Sequence, residues 1–373
     1  MKIFISIPWF SPAYKAGGPI QSIANMVQAM GEAFTFYIFC SNEDADHQML
    51  AVTAVNSWTQ HNSHTHVYYA TKPQRSQKLS NAIEKIQPDV LYMVGLFSPT
   101  FTLVPLFFGK APLKILSVRG MLHPGALSTK SVKKNLYIAA LKALGISRRC
   151  VFHGTDAAEQ KFIKEVFGAK AGVAIAGNFP RQLAPQTPLH KIENQLVLLS
   201  ICLLSTMKNI GLVLAALGQC TANISYFIYG PVKDAAYWDR CLAQINKLPT
   251  NITVHYFKAC LPADVPVVLQ KAHVFILPSK SENYGHAIIE ALTVGLPVIT
   301  SRHTPWNGLE AAGAGFNVEA DVDAVATAIQ HYAVMDHNDY AATANCAAGY
   351  AKQRIDLQQI LEENEALFNS AVL

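Results

Sequence analysis

Short apolar runs alternate with helical patterns along the chain. Residues 3–7, 35–40, 90–94 and 114–118 are rich in β-branched and aromatic side chains and are bounded by turn residues. Each is apolar at consecutive rather than alternate positions. That predicts strands buried on both faces, the pattern of a parallel sheet. The second half repeats the scheme at 195–201, 224–229, 252–256, 273–278 and 297–300. Helical patterns fill the gaps. Ile20, Ile23, Ala24, Val27 and Met30 recur at helical spacing behind Pro19, which suits a first-turn position. Strand–helix alternation predicts α/β sheets covered on both sides. Two such series predict two doubly wound domains, 1–180 and 189–355. The stretch 177–188, with Pro180, Pro185 and Pro188, reads as a linker. A last helical stretch, 357–371, is expected to pack back on the first domain, so residues 356–373 form a third segment.

Composition narrows the class. Of 373 residues, 51% are hydrophobic and only 15% charged, which excludes a disordered chain and leaves enough apolar material for two cores. The seven cysteines are scattered without a C-x-x-C pair, which fits a reducing, cytoplasmic setting and neither a disulfide framework nor a zinc site. The first residues read as a buried strand and not as a signal peptide. Residues 90–109 carry no charge over 20 positions. Pro99, Pro105, Ser98, Thr100 and Thr102 argue against a membrane span, leaving a buried strand followed by an apolar element that could face a membrane.

Charge is uneven. Residues 1–180 hold 18 basic and 9 acidic side chains, and residues 181–373 hold 12 and 16. No Asp or Glu occurs from 90 to 155, where Lys110, Lys114, Arg119, Lys130, Lys133, Lys134, Lys142, Arg148 and Arg149 lie. Such a field attracts anionic partners, or is simply a solvated basic face. Within it, residues 130–144 place Val132, Leu136, Ala140 and Ala143 on one side, with Lys130, Lys133 and Lys134 near the start. This helix could lie on an anionic membrane surface or pack on the sheet. His61, His64 and His66 have metal-like spacing but fall in what reads as a polar loop, and no metal is expected there.

The stretch 279–299 carries the chemistry. It follows a strand and opens a helix near Gly285, with Glu282 in the loop and Glu290 inside the helix. Five helical residues span about 8 Å, a fair length for a nucleotide diphosphate. Amide groups around Tyr284–Ala287 would form an anion site at the helix start. Two carboxylates would flank it and accept hydrogen bonds from hydroxyls. On spacing alone, a capping glutamate and an exposed helical glutamate are the favoured reading. No G-x-G-x-x-G and no P-loop motif occurs.

Glu282 and Glu290, in the setting Glu-Asn-Tyr-Gly-His-x-Ile-Ile-Glu-Ala-Leu before Gly-Leu-Pro-Val-Ile, resemble the E-x7-E motif of family-4 retaining glycosyltransferases with the GT-B fold. Ile228-Tyr-Gly-Pro-Val, Ser301-Arg-His-Thr-Pro-Trp and Ala314-Gly-Phe-Asn-Val are similar to that family too. Gly17-Gly18-Pro19, Arg119-Gly-Met-Leu, Pro124-Gly-Ala-Leu and His153-Gly-Thr with Glu159 resemble a bacterial branch that builds surface polysaccharides. The resemblance implies two Rossmann-like domains facing a cleft, the first binding the acceptor and the second the nucleotide sugar.

By that resemblance Glu290 would bind the donor ribose, Glu282 the hydroxyls of the transferred sugar and Lys208 the diphosphate. Asn283, Tyr284, Gly285 and His286 would complete the donor site, and Gly17 and Gly18 would close a loop over the donor phosphates or the acceptor. Arg119 would orient a phosphate through its fork. His123 would reach the sugar, and His153 matches a position near the cleft. Leu203 departs from the family, which has an arginine five residues before the lysine. The expected activity is transfer from a UDP- or GDP-sugar to an anionic, lipid-linked saccharide in lipopolysaccharide, capsule or exopolysaccharide synthesis, without metal or other cofactor. The enzyme would work in the cytoplasm, peripherally on the inner face of the membrane. A two-lobed sugar-binding protein without chemistry is the alternative. Nucleic acid is not an expected partner, since neither a recognition helix nor an aromatic platform stands out.

Overall fold

The computed structural model describes residues 1–128 and 131–370. The chain divides into two units, one of residues 1–179 with 357–373 and the other of 180–356.

The first unit carries an eight-stranded sheet: β1 Lys2–Ser6, β2 Thr35–Ser41, β3 Trp58–Asn62, β4 Thr65–Ala70, β5 Val90–Val94, β6 Leu113–Ser117, β7 Val151–Gly154 and β8 Val173–Ile175. Their spatial order is β3-β4-β2-β1-β5-β6-β7-β8. All pairings are parallel except β3 with β4. The continuous apolar runs follow from burial on both faces. Ile3 and Ile5 of β1 join one core with Phe36, Ile38 and Tyr92, while Phe4 between them joins another with Phe39, Leu91 and Leu79. The helix Leu357–Asn369 belongs to this unit as expected, although Ala371 lies outside the described residues. Phe368 sets its ring against Phe34, Phe36 and Tyr92, with centroids 5.6, 6.5 and 5.6 Å away.

Two expectations change in this unit. Residues 58–70 form the antiparallel hairpin β3–β4, so His61 and His66 stand on strands rather than in a polar loop. His61 meets Phe10 edge-on and His66 stacks on Tyr37. Among the described residues no group of three or more His, Cys, Asp or Glu is placed to hold a metal ion. The apolar element expected after the strand Val90–Val94 is a π-helical turn, Pro99–Leu103, and a short helix, Val104–Phe108. Among the described residues no helix is long and apolar enough to cross a membrane. The other change is in the helix Ser131–Ala143, which packs inward through Ile138 and Leu141, whereas the expected apolar side faces water. Val132 is 80% and Leu136 73% exposed. Lys130, assigned to this helix from sequence, lies outside the described residues.

The second unit holds six parallel strands: β9 Gln195–Ile201, β10 Asn223–Tyr229, β11 Ile252–Phe257, β12 Val274–Leu277, β13 Val298–Ser301 and β14 Gly315–Val318. Their order is β11-β10-β9-β12-β13-β14. The chain winds outward from β9 to β11, then returns to place β12 on the other side of β9. Ligands of open parallel sheets bind outside the carboxyl ends of strands at such a reversal, here between β9 and β12. Gly230 ends β10 at φ 136, and a Cβ there would lie 1.8 Å from the carbonyl oxygen of Cys202, so only glycine lets these two strand ends approach.

Candidate active site

Beyond β9 the chain turns through Leu204–Asn209 into the helix Ile210–Leu217; beyond β12 it turns through Pro278–Gly285 into the helix His286–Thr293. Backbone and side chains stitch these turns together. The Lys280 amide donates to Met207 O at 2.8 Å, and Asn209 Nδ2 donates to Pro278 O at 3.3 Å. Lys208 and Glu282 meet across that seam, Nζ to Oε1 at 2.5 Å, and Ser279 Oγ donates to the same oxygen at 2.6 Å. Burial works against the Lys208 charge, but the Glu282 carboxylate and its hydrogen bond outweigh it and leave the lysine pKa raised.

The second glutamate sits one and a half turns into the helix. Gly285 caps the helix at φ 76, a backbone region that glycine enters without strain. Ile288, Ile289, Ala291 and Leu292 anchor the helix in the core. Trp306 holds its entry, with Nε1 2.5 Å from Tyr284 O and its ring edge-on to Tyr284, whose ring also contacts His286. Glu290 is only 6% exposed. Arg181, just past the start of the unit, pairs with it, Nε to Oε1 at 3.1 Å, and donates from Nη1 to Pro262 O. Burial raises the Glu290 pKa, and Arg181 offsets part of that rise.

The expected residues therefore fall into two sets. Lys208, Glu282, Asn283, Tyr284, Gly285, His286 and Glu290 gather in the second unit along the β9 and β12 turns and one helix. Gly17, Gly18, Arg119 and His123 belong to the first. Gly17 caps the helix Gly18–Ala29 at φ 79. Arg119 does not offer the open fork expected of it. Nη2 donates to Tyr92 Oη at 2.7 Å, Nη1 donates to Asn178 Oδ1, and Nε is buried without a partner. His123 accepts the Gly125 amide on Nδ1 at 3.1 Å and lies edge-on to Phe162.

His153 lies deep in the same network, bonded to Tyr92 Oη at 2.7 Å and to Ala176 O at 2.9 Å. Burial, and then the Arg119 charge, bring its pKa down to about 3, so it is neutral at ordinary pH. Glu159 takes the amides of Gly120 and Thr155. Sequence reasoning missed Arg181, Ser279 and Asn209. Only Ser279, three residues before Glu282, carried a local signal.

Residues 186–342 match the family model described as "Glycosyl transferases group 1". No curated protein sequence matches the chain. Among solved structures, Anabaena HepE in complex with UDP and glucose is 17% identical, covers 99% of this chain and 100% of its own, and superposes with a TM-score of 0.71. Sucrose-phosphate synthase from Thermosynechococcus elongatus is 14% identical over 100% of this chain and 98% of its own, with a TM-score of 0.72. WaaG, a glycosyltransferase involved in lipopolysaccharide biosynthesis, is 14% identical over 99% of both chains, with a TM-score of 0.64. At these identities the likeness is one of fold, and it is the two-domain GT-B fold. The matched segment lies within the second unit, which is thus similar to a group 1 glycosyltransferase domain.

Proposed function

We propose that the protein is a retaining enzyme that moves a sugar from a nucleotide-sugar donor to a lipid-linked saccharide in surface-polysaccharide synthesis. One observation carries the reading. Lys208 and Glu282, 74 positions apart, are held 2.5 Å from each other at the carboxyl ends of adjacent strands, where a parallel sheet binds ligands. An ammonium group has three donors and a carboxylate several acceptor sites, so each retains capacity for substrate.

Lys208 and the start of the helix His286–Thr293 would stabilise the departing diphosphate. Such placed charge is commonly the largest catalytic contribution. Both bonds to Glu282 fall on Oε1, which leaves Oε2 for hydroxyls of the transferred sugar. Glu290, with Arg181 on its Oε1, would receive the ribose hydroxyls. Front-face attack by the acceptor on the anomeric carbon would preserve configuration as the bond to the diphosphate oxygen breaks. Protein groups alone meet the leaving charge in this scheme, and no metal is assigned.

The first unit is assigned the acceptor. Its basic stretch suits an anionic one. Val132, Leu136, Leu144 and Phe108 stand exposed on that stretch among exposed lysines and arginines, which suits a peripheral enzyme on an anionic cytoplasmic membrane face. The experiment is release of free nucleotide from a panel of UDP- and GDP-sugars without acceptor. Slow release from a subset of donors is expected. A panel in which nothing is bound or cleaved would overturn the proposal.

A further inference from the structure

The first unit has a cavity of about 570 Å³ of its own. It opens at the carboxyl ends of β1, β2, β5 and β6, between the segments that follow them. Here too the sheet reverses direction, because β1 lies between β2 and β5. The walls are largely apolar, with the rings of Trp9, Phe97 and Phe101 among them. Flat rings of this kind suit the carbon face of a sugar.

Its charged groups are not equally engaged. Asp44 takes the amides of Tyr14, Lys15 and Ala45 on its two oxygens. Glu43 lies 3.6 Å from His47 Nδ1. Lys134 donates to Ala126 O at 2.6 Å and stands 5.6 Å over the ring of Phe97. Arg75 is different. Its Nε donates to Ala70 O at 3.2 Å and its guanidinium lies 5.9 Å over Phe101, yet its Nη2 is buried without any hydrogen-bond partner. Burial works against its charge, and Glu43 compensates only in part. A buried guanidinium donor without a partner is costly, and an anionic oxygen brought beside it would satisfy both its charge and its geometry.

We propose that this pocket receives the acceptor and selects one whose saccharide carries an anionic oxygen, carboxylate or phosphate, bound at Arg75. The inference rests on the transferase reading, which makes the occupant an acceptor. The test is calorimetric titration of the full chain with glucuronate, glucose 6-phosphate and glucose, with UDP and GDP titrated in parallel. The anionic sugars should bind about ten- to a hundredfold more tightly than glucose. A preference for glucose 6-phosphate would assign the anion as phosphate, and a preference for glucuronate as carboxylate.

R75Q should abolish the difference and leave nucleotide affinity unchanged. R75K, which keeps the charge without the fork, should retain part of it and guards against a folding defect in R75Q. W9A should weaken all three sugars. Nucleotide binding with equal affinity for glucose and the anionic sugars, with no sugar binding at all, or with an anion preference that survives R75Q, would overturn the pocket assignment alone. Failure of every nucleotide to bind would instead overturn the transferase reading.

Discussion

Arg181 and Glu290, 109 positions apart, meet with the guanidinium Nε 3.1 Å from the carboxylate in a setting that leaves Glu290 almost without solvent. The arginine charge works against the rise that burial imposes on the Glu290 pKa. Removing it raises the Glu290 pKa further, so the carboxylate takes up a proton at a higher pH. Arg181→Gln should therefore raise the donor KM about tenfold near neutrality, with a much smaller change in kcat. The loss should shrink as pH rises. Donor KM measured from pH 6 to 9 checks this, and a profile parallel to that of the unaltered enzyme would remove Arg181 from the site.

Lys208 and Glu290 should fail in different ways. On the proposed reading, Lys208→Ala removes the cation beside the departing diphosphate and should cost roughly 100–1000-fold in kcat. On the same reading, Glu290→Ala removes an acceptor for the donor's hydroxyls and should act mostly on donor affinity. Steady-state kinetics at limiting and saturating donor separate the two. Wild-type rates for both variants at limiting donor would refute the assignment.

The neutral, buried His153 makes stability depend on pH. Its folded pKa, about 3, lies below the ordinary histidine value of 6.5. The unfolded chain thus binds the extra proton first, and stability present above pH 6.5 is lost as pH falls towards 3. His273 in the second unit, brought down to about 4 chiefly by burial, adds a loss of the same sign. Urea unfolding at several pH values should show His153→Gln with a shallower acid slope. An unchanged slope would mean that His153 is not what the acid attacks.

Membrane attachment has its own test. Leu136→Asp and Val132→Asp put charge on exposed apolar positions without touching the core. Each should weaken binding to vesicles rich in anionic lipid about ten- to a hundredfold, the scale of losing one buried aliphatic group. Nucleotide affinity should stay the same. Co-sedimentation with anionic and neutral vesicles reads the effect, and equal sedimentation of all forms would count against the surface.

Much of the architecture was legible because parallel strands are covered on both sides. Nine runs of consecutive apolar residues correspond to nine strands, most within a residue or two. The missed strands lack that signature. β3 and β4 close one edge of their sheet, with polar and half-exposed positions among the apolar ones. β7 ends in His153 and Gly154, and β8 and β14 are three and four residues long. In the site, Glu282 and Glu290 were readable because one turn and one helix fix their spacing. Arg181 was not, because its contact forms only when distant stretches of chain converge. Arg119, read from its strand end as ligand-facing, also donates to Tyr92 and Asn178, contacts that no local pattern signals.

The return of residues 357–369 to the first unit sets an order of events during synthesis. The aromatic nest of Phe34, Phe36 and Tyr92 is made before the second unit, and Phe368, which covers it, only after. The second unit can therefore fold while the first still exposes the apolar surface that Phe368 will cover.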